Sequence, residues 1–248
     1  MAEQVVASKQ QVPIPTLTDS VVVRWLIGLC LVLYGLNLIF TVQVTSANGT
    51  SKAIGLLSYY GNFNVPQGIN DYELWRLFTY QFLHGNLLHL GMNMMALYVF
   101  GPLIEKWWGP RRFLAFYLLC GACGAWLMAV FAFNPTIING QNAWLVGASG
   151  SIFGVLVASA MLYPKDEVKL IIPPMWVTIR NLAIVFILLS IGSMFVGFNA
   201  GGNAAHLGGA IFGYLLVKRP WSLDLFDKNA PALEPPGKSG AEDDPPAA

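Results

Sequence analysis

The sequence predicts an all-α, polytopic membrane protein: a bundle of six transmembrane helices with a long external first loop. Three observations lead there. The 248 residues are 55% hydrophobic and only 11% charged, with a mean hydropathy of +0.56, whereas a soluble domain of this size carries about 25% charged residues. Apolar runs of roughly 17–25 residues, the length a membrane helix needs, recur along the chain. Finally, basic residues gather in alternate connections. Twelve of the fourteen Lys and Arg fall on one side if the chain crosses six times, leaving Lys52 and Arg76 for the other. Basic residues favour the cytoplasm, so both termini are expected there.

The elements follow in order. Residues 1–20 read as a cytoplasmic N-terminal segment. MAEQVVASKQQVPIPTLTDS lacks the basic-then-apolar order of a cleaved signal and the arginines of a mitochondrial presequence. The first apolar run is therefore expected to stay as an anchor, and a bacterial inner membrane is the expected location. Residues 21–217 form the membrane domain, with spans expected at Val21–Val42, Asn86–Leu103, Phe113–Phe133, Trp144–Tyr163, Asn181–Phe198 and Asn203–Val217. The connection from Gln43 to Gly85 is long for a loop, and loops of that length are functional or disordered. Its Trp and Tyr residues suit a membrane interface. Residues 218–248, rich in Pro, Ala and acids, read as a disordered cytoplasmic tail.

Composition also excludes functions. A net charge of +1 implies no nucleic-acid partner. All thirteen acids lie outside the apolar runs or at their edges. That argues against a proton-coupled transporter, which needs an intramembrane carboxylate. Cys120 and Cys123 form a CxxC, but they sit among Gly121, Ala122, Gly124 and Ala125 without a redox-type strand and helix. They read as small packing residues. His84 and His89 are five apart, about 140° around a helix, which suits no metal site. No metal and no cofactor are expected.

The polar groups that do enter the spans are few: His89, Asn93, Ser149, Ser151 and His206. With Trp144 starting the fourth span, Ser149 would lie roughly 8–10 Å below the external edge. His206 and Asn93 fall at a similar depth on the same side. A lone membrane serine bonds back to its own helix, and a lone histidine can simply pack. Together, however, Ser149 and His206 offer a nucleophile and a general base, and a serine hydroxyl needs a base to become nucleophilic. With no acid at that depth, a two-residue arrangement remains. Gly209 and Gly213 share the helix face of His206, and Gly150 and Gly154 make a GxxxG beside Ser149. Small residues let membrane helices approach closely. Phe153 lies one turn below Ser149, where its ring can meet the imidazole. His89 and Asn93 share a helix face and can both donate hydrogen bonds to an oxyanion, alongside the Ser149 amide.

The motifs in this order resemble those of the rhomboid intramembrane serine proteases. They are WR at Trp75–Arg76, HxxxxHxxxN at His84, His89 and Asn93, and GxxxExxxG at Gly101, Glu105 and Gly109. They continue with GxSG at Gly147, Ser149 and Gly150, and AHxxG at Ala205, His206 and Gly209. The resemblance covers roughly residues 70–217. It implies that Ser149 is the nucleophile, His206 the base, and His89, Asn93 and the Ser149 amide the oxyanion hole. It implies that Trp75 and Arg76 anchor the first loop in the outer leaflet and that Glu105 fastens the cytoplasmic end of the second span. The fifth span, or the loop after it, would be a lateral gate. Some members carry Tyr where this chain has Phe153, which keeps the ring and loses the hydroxyl. The implied partners are transmembrane protein substrates and the lipid bilayer. Two alternatives stand beside this reading: a catalytically inactive relative that binds or escorts membrane proteins, and a small transporter or channel.

Overall fold

A computed structural model describes residues 17–45, 49–134, 138, 143–170 and 173–227. The expected N-terminal segment up to residue 16 and the tail from residue 228 lie outside the described residues. The chain is mostly helical. Its α-helices are α1 (Val21–Ile39), α2 (Leu56–Gly61), α3 (Arg76–Thr79), α4 (Leu87–Trp108), α5 (Pro110–Ala132), α6 (Ser149–Leu162), α7 (Ile179–Phe195) and α8 (Ala200–Lys218). Two small antiparallel hairpins interrupt them: β1 (Thr41–Thr45) with β2 (Ser51–Gly55), and β3 (Glu167–Lys169) with β4 (Trp176–Thr178).

Three helices, α1, α4 and α5, are long and apolar enough to cross a membrane. The shorter α6 and α7 are apolar as well. In α6 every residue from Gly150 to Ser159 is buried. A helix apolar all round belongs in the interior, and α6 takes that place. Beside it runs α8, packed against α5 on one face and α6 on the other. At the edge of the bundle, α1 buries only Val23, Leu26 and Cys30.

Helix ends explain how the bundle is tied. The first N–H groups of a helix have no carbonyl within it to bond, and in an apolar environment each costs several kcal/mol unless met, roughly. At the start of α1 the side chain of Ser20 makes no capping bond. Glu105, near the end of α4, supplies one instead. Its carboxylate accepts from Val22 N–H at 2.8 Å and Val23 N–H at 2.9 Å. At the start of α4, Asn86 caps in the ordinary way, accepting from His89 N–H at 2.8 Å. Gly109, with φ of +76°, and Pro110 turn the chain sharply from α4 into α5.

Several boundaries differ from expectation by a few residues, and four of the differences have a visible cause. The first span stops at Ile39, because β1 begins at Thr41 and pairs back onto β2. The second span continues to Trp108, carrying Glu105 inside the helix. The fourth starts at Ser149 and not at Trp144. Residues 143–148 are not helical: Leu145 pairs with Phe63 of the first loop, and Gly147 has φ of +124°, where a side chain would be strained. The disordered tail expected from residue 218 is corrected at its near end. Pro220–Phe226 form a short helical turn with Leu223 fully buried, and Arg112 Nη2 meets Asp224 Oδ1 at 2.7 Å.

The long first connection is folded. From α1, Asn37 reaches Ser58 of α2 through two hydrogen bonds, of 2.6 and 3.1 Å. Arg76 does not face outward as a lipid anchor would. Its side chain is 1% exposed, bonded to Glu73 and to the carbonyls of Tyr59 and Asn62. The guanidinium fork thus gathers the loop around itself. Trp75 beside it is exposed. Tyr80 donates to the Gly121 carbonyl at 2.7 Å, which seats the loop on α5.

Candidate active site

Ser149 is the first residue of α6, and His206 lies in the second turn of α8. Their side chains meet: Ser149 Oγ and His206 Nε2 are 2.8 Å apart. Both residues are half-buried, while their neighbours Ala148, Gly150 and Ala205 are buried. The pair therefore sits in a packed wall and keeps part of its surface exposed.

Glycines set this approach. A Cβ on Gly209 would run into the Gly150 carbonyl, and one on Gly213 would lie 2.6 Å from Gly154 Cα. The other face of α8 is as tight. A Cβ on Gly208 would come within 2.7 Å of the Cys123 carbonyl, and one on Gly124 of α5 within 2.6 Å of the Ala205 carbonyl. Backbones in contact leave α8 little freedom to slide or turn, so His206 is held by both neighbours. Phe153 fixes the ring plane. It stacks on the imidazole with centroids 4.2 Å apart and 8° between planes.

His89 and Asn93 border the loop that leads into Ser149. A Cβ on Gly147 would lie 2.6 Å from His89 Nε2 and 3.7 Å from Asn93 Nδ2. Gly147 therefore lets the loop pass directly over both side chains. Asn93 is buried and donates back to the His89 carbonyl at 2.9 Å, which orients its amide. The Ser149 N–H opens α6, where a helix presents unbonded donors and the positive end of its dipole. The His89 ring, the Asn93 amide and the Ser149 N–H thus lie around the loop that ends at Ser149.

His84 stands behind His89, ring edge to ring face at 5.3 Å. It is 3% exposed, and neither of its ring nitrogens makes a well-formed hydrogen bond. Burial, aided by His89, pushes it down to about 4, so it is neutral at pH 7. Among the described residues no cluster of three or more His, Cys, Asp or Glu could hold a metal ion. The cysteines are free, with Cys30 and Cys120 buried and Cys123 half-buried. Cys120 fills the space beside Gly154.

Two polar contacts were not legible from the sequence. Ser151 donates to Gln81 Oε1 at 2.8 Å, and Gln81 Nε2 in turn donates to the Leu77 and Leu118 carbonyls. This buried chain ties α6 to the first loop and α5. The second lies at the imidazole itself: Ser190 Oγ of α7 is 3.3 Å from His206 Nδ1. Nothing about a serine in an apolar helix distinguishes it in advance.

The site thus joins a hydroxyl to an imidazole, with His89 and Asn93 beside the loop that leads to it. Comparison with known proteins gives the family. Residues 71–219 match the Rhomboid domain family. The chain is 30% identical over 206 residues to the rhomboid protease AarA of Providencia stuartii, covering 77% of this chain and 71% of that protein. It is 32% identical over 176 residues to the rhomboid protease GluP of Bacillus subtilis, covering 71% of this chain and 31% of GluP. It is 32% identical over 153 residues to the human mitochondrial presenilin-associated rhomboid-like protein, covering 61% of this chain and 39% of that protein. The chain thus spans only about a third of the length of GluP and two fifths of the human relative.

Proposed function

The chain belongs to the rhomboid family, and from that premise we propose that it is an intramembrane serine protease working through Ser149 and His206. The 2.8 Å contact between Oγ and Nε2 carries the reading. It is an integral multi-pass membrane protein. In this reading α1, α4, α5, α6, α7 and α8 are its six spans, with both termini cytoplasmic and the site open to the external side of a bacterial inner membrane. Residues 1–20 and 218–248 flank the 21–217 membrane domain. Trp75 meets the outer leaflet, and α7 forms the side through which a substrate enters.

The chemistry follows from the geometry. A transmembrane segment unwinds locally beside α6, because a helical carbonyl is already bonded and shielded. Weak helix formers such as Gly unwind at lower cost. The Ser149 hydroxyl donates to His206 Nε2, which requires the ring proton on Nδ1. As Oγ bonds to the substrate carbonyl carbon, its proton passes to Nε2. The carbonyl oxygen becomes an oxyanion, held by the Ser149 N–H, His89 and Asn93. The C–N bond breaks, and the imidazolium returns its proton to the leaving amine. Water then attacks the acyl carbon while His206 takes its proton; the bond from that carbon to Oγ breaks, His206 returns the proton to Oγ, and the acid product leaves. Neither metal nor cofactor takes part.

Fluorophosphonate labelling of the detergent-purified protein tests this without a known substrate. Wild type is expected to label. Ser149→Ala and His206→Ala are expected to lose labelling by at least about 10³-fold, as knocking out a nucleophile or its base does, while keeping the wild-type circular dichroism. Well-folded wild type that stays unlabelled in both detergent and lipid sinks the reading.

A further inference from the structure

We propose that Ser190, on α7, is a positioning residue for His206: its hydroxyl accepts the Nδ1 proton and fixes the tautomer in which Nε2 can act as base. The proposal rests on the protease reading above and names a third participant in that site.

His206 has two ring nitrogens, and both have partners. Nε2 faces Ser149 at 2.8 Å, and Nδ1 faces Ser190 at 3.3 Å. In neutral imidazole one nitrogen donates and the other accepts, and the hydrogen bond at one decides the role of the other. The Ser149 hydroxyl is activated only if Nε2 lacks a proton. An acceptor at Nδ1 favours that tautomer. A carboxylate would do so more strongly, but no acid lies in α6, α7 or α8. A hydroxyl can accept there as well, without placing a charge in the membrane.

The setting of Ser190 sets it apart from a serine that merely bonds its own helix. Ser159 of α6 is such a serine, donating to the Val155 carbonyl one turn back at 2.9 Å. Ser190 points across to another helix. It is 4% exposed, while Leu188, Leu189 and Ile191 around it are exposed. It is the one residue in the second half of α7 that is buried. Nearby, Phe186 of α7 meets the edge of Phe153, centroids 6.3 Å apart, and Phe153 stacks on the imidazole. Thus α7 touches His206 directly through Ser190 and indirectly through the Phe186–Phe153 pair. Displacing α7 would remove the Nδ1 acceptor, so the activity of Ser149 is tied to where α7 lies.

The test measures fluorophosphonate labelling kinetics of the full-length protein in detergent and in bicelles. Ser190→Ala is expected to lower the maximal labelling rate constant about 3- to 10-fold, the worth of one neutral hydrogen bond. The probe concentration at half-maximal rate and the thermal midpoint should stay as in wild type. Ser190→Thr, which keeps the hydroxyl, should come back to within about twofold of wild type. A purely structural serine would behave otherwise: Ala would lower the midpoint, and Thr would not rescue the rate. The second measurement needs no variant at Ser190. With 15N-histidine in wild type, the three histidines being separable by His206→Ala, the neutral ring of His206 is expected to carry its proton on Nδ1. A proton on Nε2, or a Ser190→Ala protein labelling at the wild-type rate, overturns this proposal and leaves the protease reading standing. Unlabelled wild type overturns both.

Discussion

The two sides of the imidazole are built on opposite plans. On one side, α8 is wedged between α5 and α6 with backbone against backbone. Gly208, Gly209, Gly213 and Gly124 remove every side chain that would hold the helices apart. On the other side, α7 presents Ile184, Val185, Leu188 and Leu189 outward. It reaches the site through a few side-chain tips, Phe186, Ile187 and Ser190. The contrast teaches how one helix of a membrane bundle can be packed tightly on one side and loosely on the other. Lipid tails are as apolar as leucine, so a helix edge facing lipid gains little from closing. Rigidity has to come from van der Waals contact between backbones. Where those contacts are absent, side chains alone hold a helix in place.

Substitutions on the two sides should break apart accordingly. The largest effect belongs to Gly209→Val. Its side chain would collide with the Gly150 carbonyl, which cannot give way as a side-chain tip can. A destabilisation above about 3 kcal/mol is expected, seen as a collapsed thermal midpoint together with lost labelling. An unchanged midpoint would mean that the seam between α6 and α8 is not as tight as described. Phe153→Leu should be intermediate. It nearly conserves volume, so stability should change by less than about 1.5 kcal/mol. Losing the stacked ring should still slow labelling about 2- to 10-fold. Leu188→Ala on α7 should be the smallest, within about 0.5 kcal/mol of wild type and with labelling unaltered. If it instead destabilised the protein as Gly209→Val does, α7 would belong to the rigid body and the contrast would fail.

How much of this was legible in the sequence depends on the kind of signal. Helices such as α5, long, apolar and with basic residues at one end, announce themselves. Ser149 and His206 stood out because polar groups are rare in apolar runs, and the glycines spaced along one face of α8 implied close packing. The start of α6 was misread for a physical reason. Trp144, Leu145 and Val146 are as apolar as the helix that follows, and only the pairing of Leu145 with Phe63, distant in sequence, makes them a strand-like edge. Ser149 is therefore the first residue of a helix about 21 Å long for 14 residues, and not the sixth residue of one that starts at Trp144. The burial of Arg76 is hidden for a similar reason. Its carbonyl partners lie 14 and 17 residues away, and a guanidinium enclosed by its own loop looks the same in sequence as one at a headgroup. Ser190 left no signal at all, since its meaning exists only once α7 and α8 are side by side.

The carboxylate of Glu105 at the head of α1 has a consequence for the order in which this protein is made. Val22 and its cap are separated by 83 residues. At roughly 5–20 residues per second, α1 waits about 4–17 s after synthesis before the group that seals its first turn exists. Through that interval its leading N–H groups must be served by water or lipid headgroups, so its N-terminal end is confined to the membrane surface. The arrival of α4 then replaces those partners with a carboxylate of the chain itself.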